Sequence, residues 1–152
     1  MGIDIDWIRI GSHLIHLIVA YGIALPVAWH QERSTRTAGL RTFPIVSLAA
    51  CGYMLIGLHV LDSTDAESRV IYGIITGIGF IGGGAILKEK ASIQGTATAA
   101  SIWTTGAIGI AVAFDRVEIA VALGLVNFLT LLWGSPAKAM VHHRDRKDDG
   151  DS

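Results

Sequence analysis

Long stretches without a charged side chain constrain the fold of this chain more than any other feature. Five segments, each 18 to 24 residues long, contain no Asp, Glu, Lys or Arg: 10–31, 42–61, 70–87, 91–114 and 119–137. Because an α-helix rises ~1.5 Å per residue, ~20 apolar residues cross the ~30 Å hydrocarbon layer of a bilayer. Hydrophobic residues make up 51% of the chain, which fits this interpretation. We therefore predict an all-α membrane protein, a five-helix transmembrane bundle.

The predicted transmembrane domain covers residues 1–137. Its helices are predicted at about 10–31, 42–61, 68–87, 96–114 and 117–135. The remaining segment, 138–152, is polar and carries many charges, so we expect a disordered tail.

The distribution of Lys and Arg predicts the orientation of the bundle. Nine of the twelve basic residues lie on one predicted side: Arg33, Arg36, Arg41, Lys88, Lys90, Lys138, Arg144, Arg146 and Lys147. The other three, Arg9, Arg69 and Arg116, stand among acidic residues. Cytoplasmic loops are enriched in Lys and Arg, so we expect the amino terminus outside and the carboxyl terminus in the cytoplasm. The net charge of −1 gives no reason to expect nucleic-acid binding.

Glycines dominate the third predicted helix, where residues 73–84 are GIITGIGFIGGG. This segment contains the G-x-G-x-x-G spacing of nucleotide-binding loops, but it continues into apolar sequence and lacks the acidic residue expected ~20 positions later. Small residues spaced by four let membrane helices approach closely. We therefore predict that helix packing uses Gly73, Gly77, Gly79, Gly82, Gly83 and Gly84.

Polar residues inside the predicted helices are few and uncharged. Hydrogen bonds between helices, each contributing ~0.6 to 2 kcal/mol, are the expected use of Thr76, Thr98, Thr104 and Asn127. The five segments contain no carboxylate, so we expect no magnesium site of oxygen ligands in mid-membrane, no other metal site and no cofactor. No nucleophile and base stand in a catalytic pattern, and we expect no enzyme activity.

Two histidines, His13 and His16, lie one helical turn apart near the start of the first predicted helix. This spacing suits a shared metal ion or a proton relay. Histidines near a membrane surface more often bond within the bundle or lie at the interface, and we favour that interpretation.

The first loop connects these patterns to a known family. The run ERSTRTAGLRT, followed by GIITGIGFIGGGAIL and IQGTATAASIWTTGAIGIAVA, resembles the membrane domain of the MgtC/SapB family over nearly all of the predicted helical region. The resemblance implies a multi-pass protein of the bacterial inner membrane, in a short form without the carboxyl-terminal soluble domain of many relatives. The family is associated with adaptation to low magnesium and, in pathogens, with survival inside host cells. The loop residues that carry the resemblance are Glu32, Arg33, Arg36, Gly39, Leu40, Arg41 and Thr42.

Two interpretations of this loop are open. Its charges can serve as topology signals at the lipid headgroups. Alternatively, Glu32 and Arg36 are neighbours on a continued helix, and a reversal at Gly39 brings Arg41 towards Glu32, forming a cluster that contacts a partner protein or an anionic phosphate.

The sequence is compatible with three functions. The resemblance favours a regulator of other membrane machinery, with the lipid bilayer and another membrane protein, or a second copy, as partners. A small oligomeric transporter or channel for magnesium or another small solute is the alternative. A purely structural scaffold is third.

Overall fold

The structure is a computed structural model that describes residues 6–34, 38–61, 63–89 and 92–148, with side chains for 6–34, 38–61, 63–86 and 93–133. Within these ranges it contains five helices: α1 (Trp7–Ser34), α2 (Thr42–Val60), α3 (Thr64–Gly84), α4 (Thr96–Ala113) and α5 (Val117–Asp148). The predicted all-α, five-helix fold is confirmed.

Three of the helices, α1, α2 and α4, are long and apolar enough to cross a membrane. In α5 the apolar part is shorter and covers Val117–Trp133. The first turn of α3 carries Asp65 and Glu67, so its apolar part begins only after Arg69. Five crossings and the orientation of the bundle stay predictions.

Contacts between side chains at the two ends of the bundle show that α1 and α2 run in opposite directions. At one end, the His13 ring of α1 lies 4.9 Å from the His59 ring near the end of α2. At the opposite end, the His30 ring of α1 lies 5.9 Å from the Phe128 ring of α5. We call the first the Asp115 end, after the residue in its α4–α5 turn, and the second the Glu32 end, after the residue in the last turn of α1.

The centre of the bundle is α4, which packs on α1, α2, α3 and α5. Its glycines allow this. A Cβ atom at Gly109 would overlap Ser47 O of α2 and lie 2.9 Å from Cys51 N, and a Cβ at Gly106 would overlap the Ile78 side chain of α3. Gly109 therefore needs to be glycine for α4 to approach the main chain of α2 this closely, whereas a side chain at residue 106 would require Ile78 to move.

Elements at the ends of α3, α4 and α5 differ from the prediction. A short antiparallel hairpin, β1 (Leu87–Glu89) and β2 (Ser92–Gln94), links α3 to α4. The helix α3 begins earlier than predicted because the Ser63 hydroxyl accepts a hydrogen bond from Ala66 N, 3.2 Å away, and caps it. The helix α5 continues to Asp148, through residues 138–148 of the segment predicted to be disordered. Lys, Ala and Met at the start of this segment are good helix formers, and they extend the helix.

The α4–α5 turn holds Asp115 in the left-handed region, with φ of 57°. Asp115 N donates to Val112 O at 3.0 Å, and Arg116 N donates to Ala111 O at 2.9 Å. These two hydrogen bonds satisfy the last carbonyl groups of α4 in the arrangement typical of a helix that ends in a left-handed residue. Aspartate tolerates this conformation better than most residues other than glycine, so the turn is tight without needing one.

Candidate functional site

The candidate site is the Glu32 turn, which we define as residues 32–34 and 38–42. The last turn of α1 carries Glu32, and its Oε2 atom accepts a hydrogen bond from Leu40 N at 2.9 Å. This contact ties the carboxylate to the main chain eight residues later. Because the bond goes to the backbone, it holds the main chain at Leu40 against the end of α1.

Gly39 makes this contact possible. A Cβ atom at residue 39 would overlap Glu32 Oε2 and lie 2.9 Å from both Cα and Cδ of Glu32. Gly39 O also accepts hydrogen bonds from Thr42 N at 3.0 Å and from Phe43 N at 3.2 Å. The turn therefore closes onto α1 and starts α2 at the same residue.

Three arginines were predicted to join this site, and the structure describes two of them. The guanidinium carbon of Arg33 lies 4.7 Å from the centre of the Trp29 ring, as in a cation–π contact. Arg41 is exposed immediately before α2 and forms no ion pair with any described residue. The reversal at Gly39 is present, but Glu32 binds Leu40 N instead of Arg41. Arg36 lies outside the described residues.

The environment of the turn is partly buried on its α1 side. Gln31 is 2% exposed, and its Oε1 accepts a hydrogen bond from the Ser34 hydroxyl at 3.2 Å. In α2, Phe43 is fully buried and anchors the first turn of the helix in the core. The turn thus presents exposed arginine side chains on a backbone that two helices hold in place.

The α3 glycines occupy two different environments. A Cβ at Gly82 would lie 3.1 Å from Ala99 O of α4, which agrees with the predicted packing role. Apart from the backbone of α3 itself, no described atom lies within 4 Å of the corresponding positions at Gly73, Gly77, Gly79, Gly83 and Gly84. Among the described residues, the predicted close approach is therefore absent at these five positions. The physical reason is the rotation of α3, whose buried residues are Ile74, Ile78 and Gly82.

The exposed side of α3 contributes to an apolar groove of about 600 Å³ between α2 and α3. Gly73 and Gly77 line it on α3, and Ile45, Ala49 and Tyr53 line it on α2.

The predicted intramembrane polar residues differ in their hydrogen-bond partners. Asn127 of α5 accepts a hydrogen bond from the Ser101 hydroxyl of α4 at 2.8 Å, so it connects two helices as predicted for this class of residue. Thr76 and Thr104 donate instead to carbonyl groups of their own helices, at 2.8 Å and 3.0 Å. Thr98 is 2% exposed.

One interhelical bond was missed by the sequence analysis. The Ser47 hydroxyl of α2 donates to Ala20 O of α1 at 2.9 Å, and the Ser47 side chain is fully buried. The signal for it is a lone serine in the apolar run of α2 that must face a small residue to reach a carbonyl group.

In the part of the chain that the structure describes, no three side chains of His, Cys, Asp or Glu lie close enough together to hold a metal ion. His13 and His16 have different partners. The first contacts His59, and the second binds Asp115 and a backbone carbonyl of its own helix.

The fold and the site define an all-helical membrane protein with a backbone-anchored turn at one end of the bundle. The sequence model of the MgtC family matches residues 17–140, and the chain belongs to this family. This confirms the resemblance carried by the first loop and the glycine-rich helix.

Several curated proteins are similar to the chain. The protein SrpB of Synechococcus elongatus is 30% identical over 141 residues, which are 84% of this chain and 74% of SrpB. A protein of Escherichia coli K12 named putative magnesium transporter YhiD is 30% identical over 125 residues, 78% of this chain and 58% of YhiD. The protein MgtC of Salmonella typhimurium strain 14028s is 28% identical over 114 residues, 75% of this chain and 48% of MgtC. The chain thus spans about half the length of the last two relatives. No solved structure matches the chain.

Proposed function

We propose that the protein is a regulator in the inner membrane of a bacterium, and that it acts on other membrane machinery during adaptation to low magnesium. It does so by contact, through the Glu32 turn, and not by carrying the ion. Membership of the MgtC family and the names of the relatives support a connection with magnesium.

The observation that carries the proposal is the Glu32–Leu40 hydrogen bond over Gly39. A turn that served only as a topology signal would need positive charge but no fixed backbone path. Here a carboxylate and a glycine hold the main chain at residues 39–40 against α1, and Arg41 remains exposed beside it. A preformed surface with an exposed guanidinium suits recognition of a carboxylate or phosphate group on a partner.

The composition of the core supports contact over transport. Ala24, Val27, Cys51 and Met54 are among the fully buried side chains, and no buried side chain in the described ranges carries a charge. A magnesium ion binds oxygen ligands in near-octahedral geometry and dehydrates reluctantly. The described core has no buried carboxylate that could bind a magnesium ion along a path through the bundle.

The proposed topology would place the Glu32 turn on the cytoplasmic side of the membrane. Five crossings with the amino terminus outside place the Glu32 end in the cytoplasm, together with the nine basic residues on that side. The partner surface would then face the cytoplasm at the height of the lipid headgroups.

An Arg41→Lys substitution tests the proposal because lysine keeps the charge and loses the planar fork of arginine. We expect the variant to insert and accumulate like the parent but to fail in supporting growth in low magnesium. Arg69→Lys is the matched control, since Arg69 is an exposed arginine at the opposite end of the bundle. Parental growth of a normally expressed Arg41→Lys strain would refute the contact role of Arg41.

A transporter is the second candidate, supported by the name of YhiD. The apolar groove between α2 and α3 does not favour it, because its lining residues are overwhelmingly apolar. Magnesium flux across a protein-containing vesicle membrane separates the two functions.

A further inference from the structure

At the Asp115 end, one histidine connects two parts of the chain that are 99 residues apart. The Nε2 atom of His16 in α1 lies 2.8 Å from Asp115 Oδ1 in the α4–α5 turn. The Nδ1 atom of the same ring lies 2.8 Å from Ser12 O, one turn earlier in α1. The His16 side chain is 18% exposed and the Asp115 side chain is 85% exposed.

The chemistry of the two partners determines how many protons this arrangement holds. A backbone carbonyl only accepts hydrogen bonds, and so does an ionised carboxylate, whereas a neutral imidazole has a single N–H group. Neutral His16 beside ionised Asp115 can therefore make one of the two contacts but not both. Both contacts form together only when the pair holds one further proton, as an imidazolium between two acceptors.

We propose that His16 and Asp115 form an acid-closed clamp that fastens α1 to the α4–α5 turn. Uptake of a proton allows both hydrogen bonds of the His16 ring and adds attraction between opposite charges. Loss of that proton leaves one contact and removes the ion pair. Acidification at the Asp115 end therefore tightens the attachment of α1, and a rise in pH loosens it.

The backbone around Asp115 favours this role. The turn fixes the main chain of Asp115 in the left-handed region through the hydrogen bonds at Val112 O and Ala111 O, so the carboxylate is attached to a defined backbone position opposite His16. The exposure of Asp115 also leaves the pair open to protons from the solvent. A fixed acceptor and an accessible proton are what a pH-dependent contact needs.

Other titratable or charged side chains at this end lie on α1 itself, on α2, and at the α4–α5 turn and the start of α5. On α1 itself, Arg9 pairs with Asp6 at 3.1 Å, and His13 lies against His59 of α2. The last turn of α4 is uncharged. The remaining groups, on the α4–α5 turn and the start of α5, are Arg116 and Glu118. Neither of these two forms an ion pair with His16 or Asp115 among the described residues.

The clamp has a defined place in the bundle. The contact between α1 and α5 continues from it through Ile23, which lies against Gly124, to His30 and Phe128 at the Glu32 end. The clamp therefore holds the Asp115 end of the same helix whose other end carries Glu32. The clamp is inferred from the contacts of His16 with Asp115 and Ser12 and does not depend on the proposed function.

A double-mutant cycle at two pH values tests the clamp in the full-length protein in detergent micelles. The variants are His16→Gln, Asp115→Asn and the pair, and the unfolding equilibrium is measured for each. At pH 5.5 we expect the two substitutions to be coupled by at least ~5-fold in the unfolding constant, and at pH 8.5 the coupling should fall by ~3-fold or more. Titration of His13, His59 and the remaining histidines occurs in all four proteins, so the cycle removes its contribution.

The control is Asp65→Asn, which removes a carboxylate at the same end that pairs with Arg69 and not with His16. It should show no coupling to His16→Gln at either pH. If Asp115→Asn does not fold, Asp115→Gly replaces it, because glycine adopts the left-handed conformation of residue 115 without strain. Coupling that is absent, or equal at the two pH values, would overturn the clamp.

Discussion

Replacing Gly39 with alanine should disrupt the Glu32 turn, because the added methyl group has no space. A Cβ atom there would overlap Glu32 Oε2 and lie 2.9 Å from Glu32 Cα. The carboxylate can move away, but only by giving up its hydrogen bond to Leu40 N. The Cα atom belongs to the main chain of α1, so this part of the clash persists after the side chain has moved.

Two contributions set the size of the effect. Loss of a hydrogen bond to a charged group costs ~1.5 to 3 kcal/mol, and the exposure of Glu32 places this one near ~1.5 kcal/mol. Forcing a methyl group against packed atoms costs a further ~1 to 3 kcal/mol. The free energy of unfolding should therefore fall by ~2.5 to 4.5 kcal/mol, which is a factor of ~60 to more than ~1,000 in the unfolding constant.

The assay is reversible unfolding in mixed micelles, followed by the fluorescence of the four tryptophans. Gly22→Ala is the matched control on α1, because no described atom outside the backbone of α1 lies within 4 Å of a Cβ at that position. We expect the control to be neutral or to stabilise the protein by up to ~1 kcal/mol. In the double variant Glu32→Ala/Gly39→Ala the cost should be smaller than the sum of the single costs, because the clashing carboxylate is gone. A Gly39→Ala protein as stable as Gly22→Ala would show that the turn is not held as described.

Two further predictions concern packing and topology. Gly109→Ala should lower the free energy of unfolding by ~1 to 3 kcal/mol or more, because its methyl group would meet the main chain of α2, whereas Gly77→Ala should be neutral or slightly stabilising in the same unfolding assay. A comparable loss at Gly77 would contradict the open face of α3 and would indicate that another protein chain covers it. Single cysteines at Ser34 and Ser63, in a Cys51→Ala background, should react with an impermeant reagent from opposite sides of the membrane. Labelling from the same side would rule out the five-crossing topology.

The helices were predictable because the thickness of a bilayer imposes a length on uncharged segments. The way in which the helices pack was harder to predict. The spacing of Gly73 and Gly77 marks a smooth helix face but does not say what lies against it, and α3 instead buries the face of Ile74 and Ile78. The glycine that lets another helix approach the main chain of α2 is Gly109 of α4. The sequence analysis assigned no packing role to the glycines of α4.

The candidate site shows a similar limit. A reversal at Gly39 was expected from the freedom of glycine and from the charges on either side. The partner of Glu32 could not be inferred, because every residue of the loop offers a backbone N–H and only the folded turn selects that of Leu40. The contact between His16 and Asp115 requires the alternating order of five helices, which brings together residues 99 positions apart.

Magnesium flux through the purified protein tests most directly whether it acts by contact or by transport. The protein is reconstituted into liposomes loaded with a magnesium-sensitive dye, and protein-free liposomes of the same lipid serve as the control. We expect magnesium entry at the rate of the protein-free vesicles, over a range of magnesium gradients and with a potential across the membrane. Entry that saturates with magnesium concentration and increases with the amount of protein would contradict a contact regulator and establish a transporter.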